Sequence, residues 1–201
     1  MASCKLGCLI MAAGNASRFH ANKLTAQFGG KSLIRRTLEA IPTEAFSRVA
    51  VVTQYAEIAA LAEQFGFLAV ENRHSEYGIS YTIRLGVEAL SDCDGILFAV
   101  ADQPLLRADS LRRLIDAWRA APEHIVGASC NGKRGNPNIF PREFFPALSS
   151  LQGDTGGSVI IRANPHRLLT VEVAPEELTD VDTPTALEDL IRKADEKEFS
   201  R

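Results

Sequence analysis

The chain has 201 residues, of which 46% are hydrophobic and 23% charged, as in an ordinary globular protein. Its formal net charge of -3 gives no global positive field for a nucleic-acid backbone or an anionic membrane, and no run approaches the roughly 20 apolar residues that span a bilayer. The N-terminus also lacks the pattern of a secretory leader. We therefore expect a cytoplasmic protein with no nucleic-acid or membrane partner, made of one domain over residues 1–195 and a charged tail over residues 196–201.

Short apolar runs alternate along the chain with longer stretches of helical period, which is typical of a largely parallel sheet with helices on both faces. The predicted strands, rich in Val, Ile, Leu and Phe, cover residues 6–11, 48–53, 67–71, 95–99, 125–128 and 168–173. The predicted helices, each starting near a Ser, Thr or Asp, cover residues 32–41, 57–65, 80–90, 109–118 and 183–194. Segments 131–141 and 152–157 are rich in turn residues and are predicted to be ligand-contacting loops. The pattern predicts a doubly wound, Rossmann-like α/β domain with a mostly parallel sheet.

The first predicted strand runs directly into small and basic residues, A-A-G-N-A-S-R-F-H-A-N-K over positions 12–23. Small residues let the backbone approach a ligand and point N–H groups at an anion, and Arg18 and Lys23 add positive charge. The segment favours a phosphate-binding loop, with a surface loop carrying incidental basic residues as the alternative. A P-loop is not indicated elsewhere: Gly30-Lys31-Ser32 resembles the end of that motif, but Thr25 stands where its first glycine is needed. A dinucleotide fingerprint is not indicated either, because the second strand ends in Thr53-Gln54 and not in an acid.

Acidic residues flank two other predicted elements, a strand and the last helix. Asp102 ends the apolar run 96–101, at the sheet edge where open α/β sheets bind ligands. A carboxylate beside a phosphate loop is the ligand that Mg²⁺ takes together with substrate phosphates. Alternatively Asp102 caps the next helix, although Asp109 suits that role. Asp180 and Asp182 precede the last helix, and the spacing leaves open which of them reaches the metal and which only starts the helix.

Taken as an ordered set, these motifs resemble the MobA-like nucleotidyltransferases, and within them the molybdenum cofactor cytidylyltransferases. The resemblance rests on the A-A-G-x-x-S-R-F loop at 12–19, the lysine at 23, the D-Q-P turn at 102–104 and the D-V-D-T-P segment at 180–184. It covers roughly residues 6–190. The double alanine, Ala12-Ala13, resembles the cytidylyl branch more than the guanylyl branch.

The resemblance implies transfer of CMP from CTP to molybdopterin cofactor with Mg²⁺ as cofactor and release of pyrophosphate, and a molybdenum hydroxylase as a candidate recipient of the product. It implies Lys23, Arg18 and Asp102 as the catalytic residues. The remaining implied roles are nucleotide binding by Ala12, Ala13, Gly14, Arg18, Lys23, Gly78, Ser80 and Asp102, metal binding by Asp102 and Asp182, and acceptor binding by Asn136, Pro137 and Asp154.

Three positions depart from the family pattern. His20 stands where glycine is common, Asn136 where histidine is common, and Ser158 where a basic residue often follows the G-D-x-G turn. Two alternative functions stay open from the sequence. One is a nucleotidyltransferase that uses another NTP or a different phosphorylated acceptor, of guanylyl or sugar-phosphate type. The other is a non-catalytic chaperone that binds the mature molybdenum cofactor and delivers it.

Overall fold

The structure, a computed structural model, describes residues 4–14 and 22–199, with side chains up to residue 192. The strands in chain order are β1 (Leu6–Ala12), β2 (Gln27–Phe28), β3 (Lys31–Ser32), β4 (Arg48–Thr53), β5 (Leu68–Glu71), β6 (Gly95–Val100), β7 (Ile125–Cys130), β8 (Lys133–Pro141) and β9 (Leu168–Glu172). The helices are α1 (Leu33–Ala40), α2 (Ala56–Gln64), α3 (Ile79–Ala89), α4 (Ala108–Ala120), α5 (Phe145–Ser149), α6 (Ser158–Ala163) and α7 (Pro184–Phe199). None of the described helices is both long and apolar enough to span a membrane.

Seven strands form one sheet in the order β5-β4-β1-β6-β8-β7-β9, and β2 pairs with β3 as a separate hairpin. β1 lies parallel to β4 on one side and to β6 on the other. The chain winds outward through β4 and β5 and then returns to place β6 beside β1. The predicted doubly wound, mostly parallel α/β fold is confirmed, and its switch point lies at the carboxyl ends of β1 and β6.

The prediction of a loop over residues 131–141 was wrong, because most of that segment is β8. This strand runs antiparallel between β6 and β7, and its register pairs Asn138 with Phe98 and Phe140 with Ile96. Its first half carries Gly, Asn and Pro, which resemble turn chemistry, whereas its second half is buried. Pairing of residues 138–141 with β6, and of residues 133–134 and 138–139 with β7, holds the whole segment extended against the local preference of its turn residues.

Other boundaries differ from the predictions in smaller ways. The short elements β2, β3, α5 and α6 were not predicted, because two to six residues give too little periodicity to detect. Asp109 was expected to cap the fourth helix, and this was wrong: Arg107 takes the cap position and Asp109 lies in the first turn. The last helix continues to Phe199, past its predicted end at residue 194.

The alternation of side chains along β1 divides the core between the two faces of the sheet. Cys8 and Ile10 point toward the face covered by α1, α2 and α4, and Leu9 points toward the face covered by α3, α5 and α6. Gly86 of α3 packs so closely on Leu9 that a β-carbon at this position would overlap its side chain. This close approach fixes α3, and with it the turn before α3, relative to the end of β1.

A buried carboxylate connects the start of α4 to the segment before α7. Glu177 is 2% exposed, and its oxygens accept hydrogen bonds from the Arg107 N–H (3.0 Å), the Ser110 hydroxyl (2.9 Å) and the Ala174 N–H (3.2 Å). A carboxylate at a helix N-terminus satisfies N–H groups that have no partner within the helix and interacts favourably with the helix dipole. Glu177 therefore holds the segment that leads to Asp180 and Asp182 against the rest of the fold.

We predict that Glu177→Gln lowers the free energy of unfolding by about 2 kcal/mol, because the amide loses one acceptor and places an N–H₂ group against a buried donor. Urea titration followed by circular dichroism measures the change. The matched control is Glu176→Gln, whose carboxylate pairs with Arg107 at the surface (3.0 Å) and whose loss is expected to cost under about 1 kcal/mol. Equal effects of the two variants would contradict the buried capping role.

Candidate active site

The switch point opens into a cavity of about 350 Å³, which we call the Lys23 cavity. The carboxyl ends of β1 and β6 form one wall, and the turn before α3 forms another. Its lining residues are Met11, Ala12, Ala13, Gly14, Lys23, Leu24, Ser75, Gly78, Ile79, Thr82, Val100, Ala101, Asp102 and Asp154. The volume lies in the range of small-molecule sites, and the position is where open α/β sheets bind ligands.

The described start of the predicted phosphate loop is fixed by three consecutive side chains at the end of β4. The hydrogen bonds run from Thr53 Oγ1 to the Ala12 carbonyl (3.0 Å), from Gln54 Nε2 to the Ala13 carbonyl (2.9 Å) and from Tyr55 Oη to the Gly14 carbonyl (3.1 Å). Sequence reasoning missed this role, because Thr53 and Gln54 served only to exclude a dinucleotide fingerprint. Arg18 and His20 lie outside the described residues.

Lys23 follows Asn22, the residue at which the described chain begins again, and is held in place by its neighbours. The Asn22 side chain accepts a hydrogen bond from the Leu24 N–H (3.1 Å) and so caps the short 3-10 turn that carries Lys23. The same amide donates to Glu57 (3.0 Å), and Leu24 is buried in the core. These contacts direct the lysine at the carboxyl end of β6.

The Lys23 ammonium contacts two carboxylates at once. Its Nζ lies 2.7 Å from Asp102 Oδ2 and 3.0 Å from Asp182 Oδ1. The side chains of Lys23 and Asp102 are 16% and 19% exposed, whereas that of Asp182 is 60% exposed. Burial of the ammonium lowers the pKa of Lys23, but the attraction and hydrogen bonds of Asp102 and Asp182 outweigh it and raise the pKa above its usual value. Lys23 is therefore charged at neutral pH.

Backbone contacts on both sides hold Asp102 in place. The Ala101 carbonyl accepts a hydrogen bond from the buried Thr37 hydroxyl (3.2 Å), and the Asp102 carbonyl accepts one from the Val181 N–H (2.9 Å). The alternative role of Asp102 as a helix cap was wrong, because α4 begins at Ala108. The Asp102 side chain instead faces Lys23.

The two acids before α7 have different partners. Thr183 caps α7, since its hydroxyl accepts a hydrogen bond from the Ala186 N–H (3.1 Å), and this leaves the Asp182 carboxylate to meet Lys23. Asp180 instead accepts a hydrogen bond from Gln103 Nε2 (2.9 Å). Desolvation, together with the negative charge of Asp102, raises the pKa of Asp180. Of the two candidates, the structure brings Asp182 to the lysine.

The structure places some residues predicted to contact the base or the acceptor in positions other than those predicted. Gly78 lines the Lys23 cavity at a φ of +81°, and a β-carbon there would lie 2.6 Å from Asp154 Oδ1. Ser80 is buried outside this cavity, where its N–H donates to the Gly153 carbonyl (3.1 Å). Asp154, predicted on the acceptor side, also lines the Lys23 cavity. The Gly153-Asp154 turn and the Gly78 turn are therefore packed directly together.

A second cavity of about 400 Å³ adjoins the first, and we call it the Arg134 cavity. Asn136 lines the Arg134 cavity, whereas Pro137 is buried and does not line it. Its lining residues are Met11, Ile79, Ile83, Phe98, Val100, Arg134, Gly135, Asn136, Asn138, Phe140, Leu148, Gly156, Gly157, Ser158, Ile161 and Arg162. Met11, Ile79 and Val100 line both cavities, so two molecules bound in them would lie on opposite sides of one shared wall.

Comparison with known families and proteins gives three relevant similarities in sequence. The sequence profile of the MobA-like NTP transferase domain matches residues 8–168. The purine catabolism protein PucB of Bacillus subtilis is 28% identical over 199 residues, which cover 92% of this chain and 95% of that protein. The 3-deoxy-manno-octulosonate cytidylyltransferase of Francisella philomiragia is 26% identical over 110 residues, 54% of this chain and 44% of that enzyme.

The same fold occurs among solved structures. The structure of Rv0371c from Mycobacterium tuberculosis, a complex with manganese, superposes with a TM-score of 0.75 at 23% sequence identity. The superposition covers 94% of this chain and 98% of that one. At this level of identity the likeness concerns the fold.

Proposed function

The chain belongs to the MobA-like NTP transferase family, and from that premise we propose that it is a magnesium-dependent cytidylyltransferase that transfers CMP from CTP to molybdopterin cofactor. Nucleotidyl transfer from an NTP is the chemistry of the family. The observation that carries the proposal is the contact of Lys23 with both Asp102 and Asp182 at the switch point, beside the Ala12–Gly14 backbone. A lysine and two carboxylates in that position are the groups that a metal-bound triphosphate requires.

Two observations support CTP as the nucleotide. Ala12-Ala13 resembles the cytidylyl branch of the family, and both alanines are largely buried at the end of β1, where the described loop backbone faces the Lys23 cavity. A relative by sequence is itself named as a cytidylyltransferase. In our assignment Ala12, Ala13, Gly14 and Gly78 contact the nucleotide, and Arg18 and Lys23 bind its phosphates. Ser80 lies outside the cavity, and its backbone N–H positions the Gly153 carbonyl by a hydrogen bond.

The charges of the site fit a divalent cation. The Lys23 cavity contains one ammonium and the carboxylates of Asp102 and Asp154, with Asp182 beside it, so the described side chains alone would repel a triphosphate. In the described part of the chain no three His, Cys, Asp or Glu side chains are grouped as a complete metal site. Mg²⁺ is typically held by one or two carboxylates together with substrate phosphates. Asp102 and Asp182 fit this pattern, and the structure of Rv0371c contains manganese.

In the proposed reaction a terminal phosphate oxygen of the acceptor attacks the α-phosphorus of CTP. A new P–O bond forms, the bond to the β-phosphate oxygen breaks, and pyrophosphate leaves with the electron pair. A phosphomonoester is mostly dianionic at neutral pH, so the attack needs no general base. Mg²⁺ bound at Asp102 and Asp182 would neutralise phosphate charge and align the triphosphate.

The chain's own contribution is alignment and charge. The hydrogen bonds from Thr53, Gln54 and Tyr55 fix the described start of the loop at residues 12–14, so the position of these three residues would cost no reorganisation during the proposed reaction. Lys23 occupies the space between the two carboxylates in this structure. Asp102 and Asp182 would hold the cation, and the flexible stem of Lys23 would then allow its Nζ to reach the phosphates and to stabilise the departing pyrophosphate.

The direct test is the nucleotide dependence of pyrophosphate release in the presence of purified molybdopterin cofactor. We expect CTP with Mg²⁺ to support turnover at a kcat/KM at least about tenfold above that of GTP, ATP or UTP. Preference for another NTP, or turnover only with a different phosphorylated acceptor, would replace this assignment by the corresponding nucleotidyltransferase. Tight cofactor binding without pyrophosphate release would favour a cofactor chaperone.

Replacement of either proposed metal ligand tests the catalytic centre. We predict that Asp102→Asn and Asp182→Asn each lower kcat by at least about a hundredfold at limiting Mg²⁺, because a neutral amide is a poor substitute for a carboxylate at this cation. Steady-state pyrophosphate release measures the loss, and circular dichroism verifies the fold. The control is Asp180→Asn in the same segment, which contacts Gln103 and should remain near wild type. A severe loss in Asp180→Asn with a mild one in Asp182→Asn would reverse the assignment.

Lys23→Ala distinguishes transition-state stabilisation from ground-state binding. If Lys23 acts mainly on the departing pyrophosphate, kcat and kcat/KM fall together, by roughly a hundredfold or more. A rise in KM for CTP at constant kcat would instead mean that the lysine only binds the nucleotide. Unchanged values of both would show that the loop is not a triphosphate site.

A second measurement on Lys23→Ala is independent of turnover. Because the ammonium neutralises Asp102 and Asp182 in the absence of nucleotide, its removal should tighten Mn²⁺ binding to the nucleotide-free protein, as measured by electron paramagnetic resonance. Weaker Mn²⁺ binding than in the wild type would contradict the view that lysine and metal compete for the same carboxylates.

A further inference from the structure

The Arg134 cavity has a charge opposite to that of the protein as a whole. We propose that Arg134 and Arg162 bind an anionic group of the acceptor and so select acceptors that combine a negative charge with an apolar ring system. This inference rests on the proposed function in one respect, namely that the molecule beside the nucleotide is the acceptor. The shared wall of Met11, Ile79 and Val100 places any occupant of this cavity next to the nucleotide.

The first argument is the charge of the lining. Arg134 and Arg162 line the cavity, and no Asp or Glu does so among the described residues, although the whole chain has a net charge of -3. In the Lys23 cavity, by contrast, Asp102 and Asp154 accompany the one lysine. A cavity with two guanidinium groups and no acid attracts an anion and disfavours a cation.

The second argument is that neither guanidinium is engaged by an acid. Within the described ranges the Arg134 side chain forms no hydrogen bond or ion pair, and the Arg162 side chain makes only a long hydrogen bond of 3.5 Å to the Ser158 hydroxyl. Several other exposed arginines do pair with acids: Arg112, for example, pairs with both Glu44 and Asp109. Guanidinium groups bind phosphate and carboxylate through paired N–H donors, and here those donors are available.

The third argument is a prearranged neutral donor, Asn136, in the same cavity. Asn138, 8% exposed, donates from Nδ2 to the Gly135 carbonyl (3.0 Å) and to Asn136 Oδ1 (3.0 Å). These bonds fix the Asn136 amide and use one of the two acceptor positions of its oxygen, and the Asn136 Nδ2 remains as a donor for a ligand. Asn138 is thus a positioning residue for Asn136, whose Nδ2 adds a neutral donor to the two guanidinium groups of the cavity.

The rest of the cavity is apolar and indicates what the anionic group is attached to. Ile83, Phe98, Phe140, Leu148 and Ile161 form its floor on the α3 and α6 side of the sheet. Phe98 and Phe140 are in edge-to-face contact, with ring centroids 5.4 Å apart. Apolar walls with a few convergent polar groups are the usual setting for a flat heterocycle. The ligand class is therefore an anionic, ring-containing compound.

The test compares Arg134→Met and Arg162→Met with Lys133→Met. Lys133 is the exposed neighbour of Arg134 on β8, carries the same charge and lines neither cavity, so it controls for charge loss at this edge. We expect each arginine variant to raise the Kd for purified molybdopterin cofactor at least tenfold, measured by fluorescence quenching, and to leave the Kd for CTP within about twofold of wild type. Lys133→Met should change neither. Unchanged cofactor affinity in both arginine variants would overturn the inference.

A second probe keeps the inference testable if molybdopterin cofactor proves not to be the acceptor. Phenyl phosphate carries a ring and a phosphate, and phenol is its uncharged counterpart. By saturation-transfer NMR, the wild type and Lys133→Met should bind phenyl phosphate in preference to phenol, and the arginine variants should lose that preference. Equal binding of the two probes by the wild type would overturn the anion preference, whatever the nucleotide assay shows. If the preference holds while the cofactor is not turned over, only the proposed acceptor fails.

Discussion

The contact of one ammonium with two carboxylates joins three distant parts of the chain. Lys23 meets Asp102, 79 residues away, and Asp182, 159 residues away, at 2.7 and 3.0 Å. The contact is possible because β1 and β6 lie side by side and end at the same edge, and because the segment before α7 returns to that edge. Without this register neither acid would lie near the loop.

The same contact bears on how the proposed metal and nucleotide would bind. Lys23 is largely buried, and an unpaired ammonium there would be costly, so the two acids stabilise it in the absence of substrate. The acids are in turn neutralised by the lysine. In the proposed mechanism the carboxylates would bind the metal and the ammonium would bind the triphosphate, so that no group is left unpaired. Such an exchange would favour binding of metal and nucleotide together over binding of either alone.

The two cavities differ in charge because different elements build them. The Lys23 cavity combines a lysine with Asp102, which follows β6, and Asp154, which lies in the turn before α6, a set of charges that fits the proposed metal-assisted reaction. The Arg134 cavity is formed where antiparallel β8 enters the sheet and brings basic and amide side chains to the same edge. Gly78, packed against the Gly153-Asp154 turn, connects the walls of the two. Position and charge together suit a reaction between two anionic substrates.

Apolar periodicity and the carboxyl-edge rule were enough to predict the doubly wound fold and the position of Asp102 after β6, because both depend on local pattern. The sequence also carried the family resemblance that the comparison confirmed. It did not decide between Asp180 and Asp182, which depended on Thr183 taking the cap of α7. Nor did it reveal β8, because the pairing that holds its turn-like residues in a strand is made by the residues on either side of them. Two further features required the tertiary structure: the side chains at the end of β4 that hold residues 12–14, and the placement of Arg134 and Arg162 in one cavity. Contacts between distant segments leave no periodic signal in either segment.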